Sequence, residues 1–292
     1  MRTRSLFVVL SFLAVASPAR RALAQAEIRP LSVTKLRVNS PDTVPERRLE
    51  VGLLWEMGWY DARFDASGGV REGDLDASRG ELGLRLVAGL VDARAFGAEI
   101  GLLLPVVFEW TEATATDEKA SAFGIGDVPV GLKLRLLNDR EASLALAVSV
   151  TTPTGDRAAG LGRGYTGLAS GVLFASQPLS WLAIDASLSA GGVLGVDDED
   201  RAAVATWGLS HEVGLAWLLP RDIGLTPCLE LGWQMAVTPE AEQSQAHKLV
   251  LNLGATYQLN DRVILMQGAQ VDLAGKNASR GAMWFMSFLF LG

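Results

Sequence analysis

From Val128 to Leu136 every second residue is aliphatic (Val128, Val130, Leu132, Leu134, Leu136), and Pro129, Gly131, Lys133 and Arg135 fall between them. Alternation with period two marks a strand with one apolar and one polar face. Segments of this kind recur near 49–60, 78–90, 94–110, 123–137, 141–152, 165–176, 180–193, 203–218, 223–237, 247–258, 263–273 and 281–291, which predicts about twelve strands. The apolar face meets a protein core in a soluble sandwich and lipid in an outer-membrane barrel, so one strand does not choose between them.

The links between the segments do choose. Short ones, Val91–Ala93, Asn138–Arg140, Gln177–Leu179, Leu219–Asp222 and Leu259–Arg262, alternate with longer polar ones at Asp61–Ala77, Thr111–Ala122, Pro153–Gly164, Leu194–Ala202, Thr238–Ala246 and Ala274–Arg280. An up-and-down barrel produces this alternation, with tight turns at one rim and long loops at the other, whereas Greek-key crossovers have no reason to. With the apolar face outward, Trp59, Trp110, Trp207 and Trp284 fall towards the long-loop ends, and Trp181, Trp217, Phe174 and Tyr257 towards the tight-turn ends. These are the two aromatic girdles that membrane interfaces require. The expectation is an all-β fold, a transmembrane up-and-down antiparallel barrel of about 12 strands over 49–292.

The N-terminus agrees with that compartment. Arg2 and Arg4 precede an apolar run from Leu6 to Ala16, and small residues follow at Ala22 and Ala24, the order of a secretory signal. Residues 1–24 are therefore expected to be a signal peptide, cut after Ala24 or Ala26, and 25–48 an extended segment that is either a plain tail or a partial plug. Past the signal there is no apolar run of the roughly 18 residues that a spanning helix needs. One cysteine, Cys228, excludes an internal disulfide, and a net charge of −7 argues against nucleic acid as a partner. The partners expected are instead the lipid and lipopolysaccharide of the bacterial outer membrane, the machinery that assembles barrels there, and a small solute.

The stretch "GIGDVPVGLKLRLL" (Gly124–Leu137), a turn, and then "ASLALAVSVTTPTGD" (Ala142–Asp156) resemble the outer-membrane family known as the MetA-pathway of phenol degradation proteins. The resemblance is clearest from Phe123 to Gly195 and continues more loosely through "LVLNLGATYQLNDRVIL" (Leu249–Leu265). It is anchored on Gly124, Gly126 and Asp127 and on Pro153, Gly155 and Asp156. It implies a transporter-like barrel that passes small compounds, aromatic or hydrophobic ones among them. The C-terminus departs from the usual pattern: the chain ends in Leu291-Gly292, with the aromatic Phe290 one step before.

Candidate chemistry is sparse. The only histidines are His211 and His247, and Ser210, beside His211, would point to the opposite face of its strand, so no catalytic dyad and no enzyme is expected. Asp197, Asp198, Glu199 and Asp200 form either a solvated acidic loop or hard oxygen ligands for a divalent cation. His247 is expected at the edge of a loop carrying Glu240, Glu242 and Gln243. "GLGRGY" (Gly160–Tyr165) lacks the helix a phosphate loop needs, and Asn277 begins a formal glycosylation sequon. No cofactor is expected. By parity the inward set includes Glu50, Glu56, Glu81, Arg85, Glu99, Glu109, Asp127, Lys133, Arg135, Asp185, Glu212, Glu230, Lys248 and Asp272, in which acids exceed bases. Two readings stay open: a passive pore lined by these residues, or a non-transporting barrel, structural or adhesive, whose outer loops bind a partner.

Overall fold

The computed structural model describes residues 41–93, 96–113, 119–139, 141–196, 204–220, 223–237 and 245–292. The predicted signal peptide, the acidic group at 197–200 and the Glu240–Gln243 loop lie outside the described residues. The strands are β1 (Leu49–Phe64), β2 (Val70–Asp92), β3 (Gly97–Ala113), β4 (Lys119–Ile125), β5 (Val128–Asn138), β6 (Ser143–Thr152), β7 (Thr166–Leu179), β8 (Leu182–Leu194), β9 (Trp207–Trp217), β10 (Leu225–Val237), β11 (Gln245–Asn260), β12 (Val263–Lys276) and β13 (Ala278–Leu291). Each pairs antiparallel with its neighbour along the chain, except where β4 and β5 together occupy one place beside β3. Closure comes from β1, which pairs with β2 on one side and β13 on the other. The result is a closed antiparallel barrel of 12 strands. No helix among the described residues is long and apolar enough to cross a membrane.

Period two sorts the faces. Leu53, Trp55, Leu82, Ile100, Leu104, Leu132, Leu146, Val148, Val172, Leu188 and Leu253 are exposed on the outside, where lipid stands in for a core. Between them Arg85, Glu99, Lys133, Ser149, Asp185, Ser187, Ser189, Ser210, Glu230 and Asn252 are buried towards the inside. Small inward residues dominate β6 to β9, whereas β1 to β3 and β5 carry charged residues among small and apolar ones.

The alternation of link lengths is less strict than the sequence suggests. The segment 61–77 is mostly strand, because β1 and β2 run on to Phe64 and Val70 and leave only five residues between them, 65–69. Its turn is held by Asp65, whose Oδ1 accepts the Ser67 Oγ–H at 2.6 Å and the N–H groups of Ser67 and Gly69 at 2.8 and 3.0 Å, and by Gly68 at φ 86°. The expected loop 274–280 shrinks to Asn277 alone, at φ 52°, a left-handed conformation that asparagine tolerates better than most residues. Its Nδ2 donates to Gln245 O at 3.0 Å, which ties the turn to the start of β11. Trp284 also differs from expectation. It pairs with Met57 in mid-strand, below the rung of Trp59, and meets Trp55 edge-on at 5.6 Å.

One irregularity shapes everything that follows. From Val106 to Leu102, β3 takes four steps, while its partner takes five, from Ile125 to Val130. The extra residue is a β-bulge at Gly126-Asp127. The outward parity slips across it, from Phe123 and Ile125 on β4 to Val130 and Leu132 on β5. Pro105, which has no N–H to offer a ladder, lies opposite the bulge, and its carbonyl accepts the Gly126 N–H at 2.9 Å.

Two outcomes follow from this architecture. Leu132→Arg should lower folding stability in lipid vesicles by about 2–4 kcal/mol, and Leu136→Arg, nearer the turn, by about 0–1 kcal/mol, because the cost depends on depth. Equal costs in urea titrations would contradict the assigned position of β5. In the outer turn, hydrogen bonds from Ser67, first its hydroxyl and then its N–H, hold the Asp65 carboxyl below the usual carboxylate range. A depressed value means stability that is present above the ordinary value of 3.8 and lost as pH falls through the folded-state value. Amide exchange at Ser67 and Gly69 should therefore accelerate on acidification below that point, and Asp65→Asn should remove the dependence.

Candidate functional site

On one side β4 is hydrogen-bonded to β3. On its other side no strand among the described residues pairs with it, because β6 ends at Thr152, opposite Val128, and pairs with β5 only. The wall therefore has a notch above the bulge, bounded by the free edge of β4. Phe123 and Ile125, 71% and 62% exposed, stand on that edge facing outward. Both lie on the barrel-centre side of the Trp110–Ser121 rung. The notch thus opens below the level of Trp110, the aromatic expected at the outer girdle on β3.

The link 153–165, between β6 and β7, folds inward behind the notch. Asp127 in the bulge receives both of its limbs: the Gly155 N–H donates to Oδ1 at 3.0 Å and the Arg163 N–H to Oδ2 at 2.6 Å. The Thr154 hydroxyl donates to Gly126 O at 2.9 Å and accepts the Val128 N–H at 3.0 Å. The tip turns on the Asp156 carbonyl, which accepts the N–H groups of Leu161 and Gly162 at 2.9 and 3.3 Å. From there it reaches the inner face of β2, where Arg79 Nη1 lies 3.4 Å from Gly160 O and 3.1 Å from Glu109 Oε2. Leu161 is buried against β4: a Cβ on Gly124 would come within 2.7 Å of its Cδ1. Tyr165 is buried too, with the Arg157 guanidinium 4.8 Å from its ring centre. The glycine-rich stretch 160–165 is thus the returning limb of a wall-lining loop.

At the tight-turn rim the segment 41–48 folds against the inner ends of β2, β3 and β5. The Val44 N–H donates to Glu99 Oε2 at 2.8 Å, and Arg47 and Arg48 exchange backbone hydrogen bonds with Gly89 at 3.1 and 3.0 Å. Any side chain on Gly89 would strike the carbonyls of Val44 and Pro45, so this close approach requires glycine. Nearby Glu99 and Lys133, both fully buried, form an ion pair at 3.0 Å.

The residues singled out from the sequence are placed as follows. Lys133 joins Glu99, Arg135 joins Asp92 at 2.7 Å, and Arg85 joins Glu50 at 2.7 Å, all towards the tight-turn end. Glu56 and Glu81 face each other across β1 and β2. Asp185, Glu212 and Glu230 share the inward register of β8 to β10, with Glu230 Oε2 3.3 Å from Asn252 Nδ2. Asp272 meets Lys248 at 3.1 Å and accepts the Gly281 N–H at 3.0 Å. Glu109 pairs with Arg79, which is missing from the inward set read from the sequence. That residue shares the odd parity of Glu81 and Arg85 on β2 and was overlooked because it sits at the start of the predicted strand. Ser210 bonds Ser189 inside the barrel at 2.7 Å, while the His211 ring leans on Ser187 O from the outer face, 3.1 Å away.

A closed, lipid-facing antiparallel barrel with a polar interior defines an outer-membrane β-barrel, and the comparisons agree. The sequence pattern of the family described as "Putative MetA-pathway of phenol degradation" matches residues 61–288, and the chain belongs to that family. Among solved structures, it resembles the COG4313 outer membrane channel from Pseudomonas putida F1, with a TM-score of 0.77 at 16% identity, over 88% of this chain and 100% of that one. It also resembles the transport unit of the autotransporter AIDA-I from Escherichia coli, with a TM-score of 0.53 at 10% identity, covering 89% of this chain and 94% of that one. A third is the beta domain of the Bordetella autotransporter BrkA, at 0.51 and 15%, covering 82% and 99%. None of the curated proteins compared matches the chain.

Removing one member of the buried Glu99–Lys133 pair should be costly. Lys133→Met should destabilise the barrel by about 3–5 kcal/mol, since it leaves a carboxylate buried without its counter-charge. The double variant Glu99→Gln/Lys133→Met should cost less than the sum of the two single changes. Urea unfolding of the four proteins in detergent checks the cycle, and strict additivity would mean that the two side chains act independently.

Proposed function

We propose that this chain is a passive outer-membrane channel for small, uncharged, hydrophobic or amphipathic molecules, which enter among the outer loops and leave for the hydrocarbon through the notch beside β4. The free edge of β4 carries this reading. An unpaired strand edge inside the apolar belt costs several kcal/mol per exposed backbone group, and barrels otherwise close to avoid it. Irregular backbone at that depth is tolerated where it borders a protein-lined cavity. Phe123 and Ile125 give the opening an apolar lip, and the loop 153–165 behind it is held by hydrogen bonds that can be exchanged for water.

The interior fits uncharged cargo better than ions. Glu50, Glu99, Glu109, Asp92 and Asp272 each have a cationic partner, and pairing weakens the field that would select a charge. The remaining inward residues, Glu56, Glu81, Asp127, Asp185, Glu212 and Glu230, are read as lining the route rather than as a filter. Export by the N-terminal signal and insertion by the barrel-assembly machinery belong to the same reading. The motif anchors Gly124, Gly126, Asp127, Pro153, Gly155 and Asp156 all fall at the notch.

Vesicles with a lipopolysaccharide outer leaflet, which hinders apolar molecules, test the proposal. The purified protein should speed the entry of an uncharged aromatic dye into the membrane while leaving glucose and chloride fluxes small. Equal dye uptake with and without protein would favour a structural or adhesive barrel. Rapid glucose flux without an effect on the dye would point to an ordinary hydrophilic pore.

A further inference from the structure

We infer that Asp127 is the positioning residue of the inward loop: its carboxylate clips the two limbs of 153–165 together and so keeps the notch beside β4 shut. The consequence for passage rests on the channel reading above, whereas the clip itself is a matter of geometry. One oxygen takes the Gly155 N–H and the other the Arg163 N–H, at 3.0 and 2.6 Å, so a single side chain holds the point where the loop leaves the wall and the point where it returns. The bulge is what brings Asp127 inside. In a regular strand one of the neighbours Gly126 and Asp127 would face lipid, but the extra residue lets the carboxylate turn towards the loop.

The backbone around the carboxylate is shaped to receive it. A Cβ on Gly162 would strike Asp127 Oδ1 and Gly155 O, and a Cβ on Gly155 would lie 2.7 Å from Gly162 Cα and 2.8 Å from Leu161 O. Glycine at both positions lets the limbs meet over the charge, where hydrogen bonds to a carboxylate are about twice as strong as neutral ones. Other ties join the loop to the wall as well, among them the Thr154 hydroxyl on the first limb, Arg79 at the tip and Leu161 against Gly124. Loss of the clip therefore loosens the returning limb, which loses its bond at Arg163 N, more than the first limb, which keeps the Thr154 bridge.

Trypsin reads this directly, because Arg157 and Arg163 are both in the loop. The full-length protein in detergent micelles, Asp127→Ala and Asp127→Asn are digested, and cleavage after Arg157 or Arg163 is followed by mass. Cleavage of a briefly opened segment tracks its open population, so the alanine variant should be cut on the order of tenfold faster than the parent. The asparagine variant, which keeps one acceptor oxygen, should fall between. All three should keep the heat-dependent gel shift of a folded barrel. In a Cys228→Ser background, oxidation of Gly124→Cys with Leu161→Cys should pin the tip and return Asp127→Ala to the parental rate, and reduction should release it. Parental cleavage rates in both Asp127 variants would overturn the inference. So would faster cleavage accompanied by loss of the gel shift and unaffected by the cross-link, since the carboxylate would then support the barrel as a whole. Faster, cross-link-sensitive cleavage with unchanged dye uptake would leave the clip standing and sink the channel reading.

Discussion

Hydrocarbon offers no partner to a peptide N–H or C=O, so a chain that crosses it as strands must close its sheet or leave a costly edge. Here the closure is the pairing of β1 with β13, over fourteen residues on each strand from Glu50–Leu291 to Phe64–Ala278. Everything else in the fold is arranged around that requirement. The outer face can be aliphatic because no second layer covers it, and the inner face can hold Lys133, Glu99 and Glu230 because the wall shields them from lipid. Against this background the unpaired edge of β4 is a departure of the described wall from its own rule, and it coincides with the bulge, the inward loop and the glycine-rich motifs.

The departure is local and has a clear structural cause. One extra residue at Gly126-Asp127 uncouples β4 from the register of β5 and β6, so that β6 stops at Thr152 and the seven residues of β4 pair with β3 alone. The same residue turns a carboxylate inward, and that carboxylate orders the loop which covers the gap. A barrel that needed only to be stable would gain by pairing β4 with a longer β6. Keeping the gap and covering it with a loop held by polar contacts gives an arrangement that can change without breaking the cylinder. The ion pairs on the inner face, and the segment 41–48 against the tight-turn rim, stiffen the opposite end of the barrel.

Most of the cylinder was legible in the sequence because lipid and a polar interior impose period two without exceptions to blur it: Leu132 and Lys133 fall on the expected faces, and all the expected strands are present. Link lengths were less legible. Composition marks 61–77 and 274–280 as polar, but polar residues also suit strands that rise past the headgroups, and the left-handed turns at Gly68 and Asn277 need very few residues. The site was only half visible. Gly124, Gly126, Asp127, Pro153, Gly155 and Asp156 stood out as motifs, yet nothing in one sequence shows that two motifs about thirty residues apart meet through one carboxylate. The slip in parity between Ile125 and Val128, with Pro105 opposite, was the available clue to the bulge. Arg79 escaped for a simpler reason: the first residue or two of a strand are where boundaries are least certain.

The route through the notch can be observed most directly by photolabelling. An uncharged aromatic compound carrying a diazirine would be added from the outer side to the barrel embedded in lipid, irradiated, and mapped by mass spectrometry. The account predicts adducts on Phe123 to Gly126 and on the loop 153–165, depleted by excess unlabelled compound. Adducts spread evenly over the lipid-facing belt, with no competition and none at the β4 edge, would contradict it.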